Sequence, residues 1–382
     1  MHAHDPLPEI VNLTEAEQAA GMPLRTPDAL RQAGYRLVKA RDSDRHFLAR
    51  PDDLQPLLVR LGDLAEGRRG FTTGANEFFY LEPVGTTVAE LFRAGAQQPS
   101  QPTVRVRNSA GWQGELETAW LRPVIKSPRE LKTLRVRLED LRYLVLMPPD
   151  DVRQRLHDTA YIQQRYPKAY AYIQWGERQR YHLRSTCKSR ENWWELAKIS
   201  SKILALRATN DRPAFYYSPT EVCHDQTFYS ATSQWDESLF SALLNCSFTN
   251  WLLREVESGA SAMLGLGALW AAVYEIQNLQ IPNPAAFTAA QRDRLLEAFE
   301  QMAQREVRSI FEELGYPKPN RDYSNIDPAA LTLAQVQRAS PDRFELDAVV
   351  FEVLGLNDAE RLAVYRAVVE LVRNRLVKAR SV

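Results

Sequence analysis

The periodicity of the apolar residues changes near residue 234, and this change constrains the fold more than any other feature. Before it lie short strand-like runs separated by turn residues, near 103–107, 115–125, 142–147, 202–207, 213–217 and 227–230. After it, apolar residues recur mainly at helical spacing. The pattern predicts an α+β fold, in which a mixed α/β domain is followed by a helical C-terminal region.

Several longer segments have a pattern of their own. Helical spacing predicts helices over 51–62, 151–176, 238–256, 285–314 (one helix or two) and 341–380 (a pair). Asp358, in the last of these segments, is a candidate N-cap of the second helix of the pair. Residues 61–81 are instead interpreted as strand, glycine-rich turn and strand. The predicted organisation is a partly disordered N-terminal extension over 1–48, a mixed domain over 49–235, and a mainly helical region over 236–382 that completes and supports it.

Composition indicates an ordinary globular protein. Of the 382 residues, 48 are basic and 48 acidic, and the three cysteines show no metal-ligand spacing. Their odd number argues against a disulfide framework, which is typical of a protein of the reducing cytoplasm. The acidic N-terminus lacks the apolar core of a signal peptide. The longest uncharged stretch, 258–274, is shorter than the roughly 20 residues of a membrane span. We interpret that stretch as a buried segment and expect no transmembrane helix.

The charge is unevenly distributed along the chain. Residues 101–200 contain 19 basic and 11 acidic side chains, a net charge of +8, and the remainder carries −8. A basic middle between acidic flanks is expected where one face of a protein meets phosphates. Chance clustering of solvated charges predicts the same count, so charge alone leaves both interpretations open.

The motifs of several enzyme classes are absent from the sequence. It contains no GxGxxG or Walker loop, no HExxH, no CxxC and no GxSxG. Cys223 and His224 adjoin Asp225, but no third ligand follows at a usual spacing, and a short polar turn explains these residues equally well. We therefore predict no catalytic residue and no metal site in this chain.

The segment GRRGFTTGANEFFYL, 67–81, is the first candidate binding site. Gly70 and Gly74 allow a tight turn or a close approach to a ligand, and Arg68, Thr72, Thr73 and Asn76 offer short polar groups and positive charge that suit phosphate oxygens. The alternative is a structural turn in which the threonine and asparagine side chains bond to their own backbone.

A second candidate site, 172–196, interleaves arginine and lysine with aromatic residues. Arg184, Lys188 and Arg190 are suited to pairing with guanine or phosphate, and indole rings such as Trp193 stack on bases. The alternative places the tryptophans in the core. Because neighbours on a strand face opposite ways, we expect that position for only one of Trp193 and Trp194.

Between these segments, a proline-fixed turn at LRPVIKSPREL, 121–131, carries two more basic residues. We predict that Lys126 and Arg129 contact the phosphate backbone there.

A series of segments, taken in order, resembles the specificity region of large adenine-specific DNA methyltransferases, including fused restriction–modification enzymes of the Eco57I kind. The resemblance covers about residues 49–380. The segments are ARPDDL (49–54), LGDLAEGRRGFTTGANEFFYL (61–81), LRPVIKSPREL (121–131), YLVLMPP (143–149), RYHLRSTCKSRENWWEL (180–196), LFSALLNCSFTNWLL (239–253), LQIPNP (279–284) and RFELDAVVFEVLGL (343–356).

The resemblance implies a target-recognition domain that binds double-stranded DNA. In that family a preceding Rossmann-like domain binds S-adenosylmethionine through a glycine-containing loop and sets an Asn-Pro-Pro-Tyr/Phe motif against the flipped adenine. This sequence contains neither feature, and its only Pro-Pro pair is Pro148–Pro149. The resemblance therefore carries over no catalytic residue, and it implies that a separate methyltransferase subunit would bind S-adenosylmethionine.

We therefore expect a cytoplasmic, sequence-specific DNA-binding module that supplies target recognition to an adenine methyltransferase or a restriction–modification and phage-defence assembly. Three alternatives remain open at this point. The chain is a non-functional remnant of a larger enzyme, a stand-alone interaction protein of a defence system, or an active methyltransferase of unusual form.

Overall fold

The fold is seen in a computed structural model that describes residues 10–11, 36–39, 46–49, 57–93, 99–209, 211–259, 263–264, 268–270, 276–320, 322–323 and 325–378. Its strands are β1 (Ile10–Val11), β2 (Arg36–Lys39), β3 (His46–Ala49), β4 (Leu58–Arg60), β5 (Ala65–Arg69), β6 (Tyr80–Pro83), β7 (Thr103–Asn108), β8 (Gln113–Glu117), β9 (Leu121–Ile125), β10 (Tyr143–Leu146), β11 (Ser200–Leu206), β12 (Ala208–Thr209), β13 (Phe215–His224), β14 (Phe228–Ser233), β15 (Met263–Leu264), β16 (Ala268–Trp270) and β17 (Gln280–Pro282).

The helices of the described residues concentrate towards the C-terminus. They are α1 (Leu61–Leu64), α2 (Asn76–Phe79), α3 (Val88–Leu91), α4 (Asp150–Arg153), α5 (Thr159–Arg165), α6 (Pro167–Arg178), α7 (Ser185–Lys188), α8 (Glu237–Asn245), α9 (Ser247–Gly259), α10 (Ala289–Gln304), α11 (Ile310–Glu313), α12 (Leu333–Ala339), α13 (Pro341–Val353) and α14 (Asp358–Lys378). The predicted α+β fold class, with helices at the C-terminal end, is confirmed.

A mixed sheet of nine strands organises the described part of the chain, in the order β5-β14-β11-β13-β9-β10-β6-β7-β8. Its pairs are antiparallel except β13 with β9, which run parallel where Cys223 faces Val124 and His224 faces Ile125. Near the edge, buried and exposed residues alternate along β7, whereas the last three residues of β10 are all buried because both faces of this central strand are covered. The strand-like runs of the sequence fall on strands of this sheet, except that 115–125 covers parts of β8 and β9 and a short 3-10 turn between them.

Two predicted elements near the start of the described chain need correction. Within 51–62, residues 51–56 lie outside the described ranges, and Leu58–Arg60 is a strand rather than a helix because it pairs with Gln280–Pro282. The strand-turn-strand prediction for 61–81 holds in outline, but α1 precedes β5 and α2 fills the end of the turn. The strand at Leu58–Arg60 forms because its pairing partner lies far along the chain, and local periodicity does not indicate such a partner.

The helix predicted over 151–176 is three helices. Pro167 cannot continue a helix from α5, but it suits the first position of α6. The side chain of Glu117, at the sheet edge, accepts hydrogen bonds from the backbone N–H groups of Lys168 and Ala169, at 2.9 and 2.8 Å. This carboxylate satisfies two free donors and complements the positive end of α6, so the break is stabilised from the sheet.

The C-terminal helices differ from their prediction at two points. The 238–256 segment divides into α8 and α9, whereas 285–314 forms two helices, α10 and α11, one of the two arrangements expected. Asp358 is not the N-cap of α14, because the side chain of Asn357 accepts the bonds from Ala359 and Glu360, at 3.0 and 3.1 Å. Asp358 instead occupies the first helical position, where its carboxylate faces the positive end of the helix dipole.

Other predictions fall partly outside the described ranges. Most of the extension over 1–48 does, apart from β1, β2 and part of β3, which form a separate three-stranded sheet. So does most of the stretch 258–274, apart from the end of α9 and the strands β15 and β16. Within the described residues, no helix combines the length and apolarity that crossing a membrane requires. The domain limits at 48/49 and 235/236 stay predictions, and the buried cluster runs without interruption from one side of residue 235 to the other.

A buried ion network joins the helical region to the sheet. The carboxylate of Glu313, at the end of α11, is fully buried and accepts hydrogen bonds from three guanidinium groups, those of Arg212, Arg305 and Arg343. Burial by itself raises the pKa of Glu313, but the guanidiniums outweigh it and lower the pKa to about 2. The carboxylate therefore stays ionised inside the protein, held by charges from three separate parts of the chain.

Arg343 extends this network to the junction between α8 and α9. Its second nitrogen donates to the carbonyl of Asn245 and the hydroxyl of Ser247, at 3.1 and 3.2 Å. The buried carboxylate of Asp347, one turn further along α13, accepts from both the backbone N–H and the hydroxyl of Ser247, at 2.6 Å each. The start of α9 is therefore capped from α13, which fixes the two helices against each other.

Removing the central charge of this network is expected to destabilise the protein strongly. In Glu313→Gln the buried guanidiniums of Arg212 and Arg343 lose this counter-charge, and we expect the free energy of unfolding, measured by urea denaturation at pH 7, to fall by about 3–5 kcal/mol. The matched control is Glu345→Gln, because Glu345 pairs with Arg294 at 2.9 Å on the surface and should contribute less than about 1 kcal/mol. Equal losses in the two variants would contradict the role assigned to the network.

Candidate nucleic-acid interface

The glycine-rich loop between β5 and α2 lies against the turn that follows β13. The N–H of Gly70 donates to the carbonyl of Phe228, 3.1 Å away. A Cβ atom on Gly70 would lie 2.0 Å from the carbonyl oxygen of Asp225, closer than any side chain permits. The absence of a side chain at residue 70 therefore lets two backbones meet, and it brings the loop to the end of the central strands.

The other end of the same loop packs on α7. Gly74 has a φ of +74°, and a Cβ there would lie 2.7 Å from the Cβ of Thr186. Both the left-handed backbone and the lack of space require glycine. Gly70 and Gly74 therefore make their close approaches to the turn after β13 and to α7, and not to a ligand. The contact at Gly74 joins the two segments that the sequence predicts as candidate sites.

Arg190 holds this contact together. Its guanidinium donates to the carbonyl oxygens of Thr72 and Thr73 in the loop and of Trp193 in its own segment, the last two at 2.9 and 3.1 Å. The side chain is half-buried, and burial lowers its pKa from the ordinary arginine value. A charged three-way bond of this kind orders the loop, so Arg190 is engaged inside the protein rather than extended into solvent.

An open cleft of about 320 Å³ forms where these parts meet. It contains four of the predicted site residues, Thr72, Thr73, Asn76 and Arg184, which come from two distant segments. Its other lining residues are Phe71, Gly74, Glu77, Tyr80, Asp225 and Gln226. The cleft therefore combines hydroxyl, amide, carboxylate and guanidinium groups in one concave surface.

Hydrogen bonds inside the cleft set the direction of its polar groups. The amide oxygen of Gln226 accepts from the hydroxyl of Thr72 at 3.1 Å and from the guanidinium of Arg69 at 2.6 Å. Thr73, which is buried, donates to the side chain of Asn76. Thr72 and Asn76 remain exposed, so their remaining donors and acceptors face solvent.

Lys126 and two carboxyl groups border the cleft. The ammonium of Lys126 lies 4.1 Å from the ring centre of Tyr143 and 5.2 Å from that of Tyr80, a cation–π arrangement. Burial raises the pKa of Glu130 to about 7 and also raises that of Asp225. Both carboxyl groups hold a proton more readily than exposed ones, which limits the negative charge at this side of the cleft.

Two other basic residues of the prediction, Arg129 and Arg68, do not line the cleft. Arg129 is exposed in the turn that follows β9, next to Lys126. Arg68 is exposed on the edge strand β5 and pairs with Glu66 at 2.9 Å. The structure therefore places Lys126 at the margin of the cleft, Arg129 beside it, and Arg68 on the adjoining edge.

An aromatic cluster lies beneath the basic segment. The ring of Phe78 stacks on Tyr172 at 4.7 Å, with planes 5° apart, and contacts Trp193 at the same distance. Trp193 and Trp194 are both buried, the second against Trp120. The expectation that only one tryptophan is in the core is wrong, because the pair lies in a turn after α7 and not on a strand. These rings anchor the segment instead of facing solvent.

Above this cluster the chain forms a basic tip. Its exposed cations are Arg178, Arg180, Arg184 and Lys188. The guanidinium of Arg184 lies 4.7 Å over the ring of Tyr181 and forms an ion pair with Glu77 of the loop. The two sequence segments thus share one surface, with the cleft on one side and the basic tip on the other.

The sequence does not identify Glu77, Asp225 or Gln226 as lining residues of the cleft. Asp225 and Gln226 lie between the strand-like runs at 213–217 and 227–230. This position predicts a hairpin turn, but it does not indicate that the turn packs against the glycine-rich loop. Within the described ranges no group of three or more histidine, cysteine, aspartate or glutamate side chains is placed to hold a metal ion. Cys223 and His224 instead lie buried at the end of β13.

We expect Arg190→Lys to release the loop. Lysine keeps the charge but cannot present the planar fork that reaches three carbonyls, so the amides of 70–77 should exchange hydrogen faster and the free energy of unfolding should fall by about 1–3 kcal/mol. Arg178→Lys, the same change at an exposed position, should leave both unchanged. Unaltered protection of 70–77 in Arg190→Lys, measured by mass spectrometry, would show that the loop is held by other contacts.

His224, buried behind Gly70, should make stability depend on pH. Burial lowers its pKa to about 4, below the ordinary value of about 6.5, so unfolding takes up a proton between these values. The contribution of the neutral His224 ring to the free energy of unfolding is therefore complete above about pH 6.5. As the pH falls from there to about 4, this contribution decreases by up to about 1.4 kcal/mol per pH unit. His224→Leu should show a shallower loss than wild type in urea titrations, and exposed His157→Leu should not. Parallel curves for all three proteins would exclude this contribution.

Residues 115–314, just over half of the chain, match the family described as type II methyltransferase M.Eco57I, C-terminal domain. No curated protein matches. The solved structure of the type IIG restriction endonuclease BpuSI aligns at 14% identity with a TM-score of 0.39, over 78% of this chain and 32% of that chain. This chain thus spans about a third of the length of BpuSI.

Proposed function

We propose that this chain, which belongs to the family of the type II methyltransferase M.Eco57I C-terminal domain, binds duplex DNA at a specific sequence. Its family membership makes it a domain related to type II methyltransferases. Target recognition is the finer function that we infer, and it would serve a methyltransferase or restriction–modification assembly. In that assembly a separate catalytic chain would bind S-adenosylmethionine and carry out the methylation.

The observation that carries this proposal is the convergence of the two candidate segments. Thr72 and Asn76 of the loop line the same cleft as Arg184 of the basic segment, although more than a hundred residues separate them in the chain. A rigid surface with exposed guanidinium, hydroxyl and amide groups suits hydrogen bonds to base edges and phosphates. Within the cleft, the loop supplies the hydroxyl and amide groups and the basic segment supplies the guanidinium.

The exposed cations are proposed to contact DNA directly. Arg184 is positioned to read a base edge, since its guanidinium is oriented by Glu77 and Tyr181. Lys188, Lys126 and Arg129 are proposed to bind the phosphate backbone, where a positive charge is sufficient. Arg68, on the neighbouring strand edge, would extend the same positive surface.

We propose a structural role for the predicted site residues that are buried or already bonded within the protein. Thr73 is buried, Arg190 donates to three carbonyls, and the ring of Trp193 packs on Phe78. These groups fix the shape of the loop and the tip, so that little ordering remains to be done when DNA binds. Thr72 and Asn76, which are exposed, would form direct hydrogen bonds in the cleft.

Selection of bound duplexes from a randomised library tests the proposal directly. At low and at moderate salt, repeated selection with the full chain should enrich one sequence, and affinity for that sequence should exceed affinity for scrambled duplexes. Binding without enrichment would support a non-specific role. The absence of binding at low salt would refute DNA recognition and leave a protein-binding role or a non-functional remnant.

Two substitutions separate base reading from phosphate binding. Arg184→Gln should weaken binding to the enriched sequence by about 1–3 kcal/mol and relax specificity at one position. Lys188→Gln should weaken all sequences alike and reduce the slope of log affinity against log salt by about 1.

Lys318→Gln is the matched control, because Lys318 is an exposed lysine that follows α11 and does not belong to the basic tip. It should bind as the wild type does. If it weakened binding as much as Lys188→Gln, the contact would not be localised at the tip.

A further inference from the structure

One large apolar side chain stands exposed at the centre of the basic tip. Leu183 is 49% exposed. Among the residues whose burial is described, the other large apolar side chain exposed to this extent is Val377, in the last described turn of α14. Leu183 therefore differs from the apolar residues around it, which form the buried aromatic cluster.

The backbone holds Leu183 in a defined position. Arg180 has a φ of +64°, and the short turn Tyr181–Leu183 that follows is closed by a bond from the N–H of Leu183 to the carbonyl of Arg180, 3.1 Å long. The ring of Tyr181 is buried and contacts Phe78 at 5.7 Å. One face of the turn is thus fixed in the core, and Leu183 is presented on the other.

The neighbours of Leu183 are positively charged. Arg184 follows it directly, Arg180 closes its turn and Lys188 lies one helical turn further on, all exposed. A polyanion attracted to these cations would bring its own groups against Leu183. That contact gains free energy only if the group that meets the leucine is apolar, because a polar base edge would lose its hydrogen bonds to water.

In the major groove of duplex DNA, the apolar group on the base edges is the C5 methyl of thymine. We propose that Leu183 contacts this methyl group, so that the recognised sequence contains a thymine at the position facing the tip. The inference rests on the proposed function and deepens it, since it assigns one base pair of the target. The flanking arginines would contact the adjacent phosphates or guanines.

Insertion of Leu183 between base pairs is the competing arrangement. A wedge of that kind has to protrude beyond its neighbours, and the side chains of Arg180 and Arg184 are both longer than leucine. A contact in the plane of the base edge does not have this requirement. Insertion would also unstack a base step, which 2-aminopurine fluorescence reports.

Replacement of thymine by deoxyuridine provides the test, because it removes the methyl group and changes nothing else. Each thymine of the enriched duplex is replaced singly, and affinity is measured by fluorescence anisotropy. At one position we expect the wild type to lose affinity about three- to tenfold, and Leu183→Ala to bind the thymine and uracil duplexes equally. Leu183→Met should retain most of the discrimination, since it keeps an apolar side chain of similar length.

The control variant is Val377→Ala, which removes the other exposed apolar side chain and should leave discrimination unchanged. Because Leu183 is exposed, Leu183→Ala should unfold in urea as the wild type does. If the wild type binds its sequence specifically and none of the uracil replacements weakens binding, this inference is wrong and the proposed function stands. The same holds if a 2-aminopurine signal that depends on Leu183 reports an unstacked base step. Failure to enrich any sequence would overturn both together.

Discussion

The fold depends on the ion network around Glu313, because a carboxylate is stable in a protein interior only when its partners are all in place. Arg212 reaches it from the chain just before β13, and Arg343 from α13. The sheet and the C-terminal helices therefore need each other to bury this charge. β13 runs on to His224, and the next two residues, Asp225 and Gln226, line the cleft. The ion network is remote from the candidate site, but it positions the start of β13, and the residues that follow the end of β13 line the cleft.

A second constraint acts at the surface itself. The loop at 70–75 contains no helix or strand, and two glycines and the guanidinium of Arg190 are among the groups that hold it in place. Gly70 allows the approach to Asp225, Gly74 allows the approach to α7, and Arg190 bonds to the carbonyls between them. Loops that carry binding groups are useful when a rigid scaffold orders them. Here the scaffold is the aromatic cluster, which holds the basic segment from below.

Much of the fold was predictable, and the exceptions have identifiable causes. The strands of the central sheet follow alternating or continuous apolar runs, and the family followed from a series of motifs in order. The helix predicted at 58–60 is a strand because a distant partner pairs with it, and the long helix at 151–176 is broken by Pro167 and a carboxylate from the sheet edge. Both tryptophans of the basic segment are buried because the chain turns there, which adjacent positions in a sequence do not reveal.

The sequence by itself determined the helical character of the long periodic segments, the family and the residue types of the candidate site, because each depends on local pattern and composition. Tertiary structure alone decided which of those residues act together. The carbonyl of Thr72 and the guanidinium of Arg190 meet across 118 residues. Asp225 and Gln226 line the cleft because sheet pairing places their hairpin turn against Gly70, which has no Cβ atom to prevent the contact. Such contacts are set by strand order and steric fit, which arise only when the whole core packs.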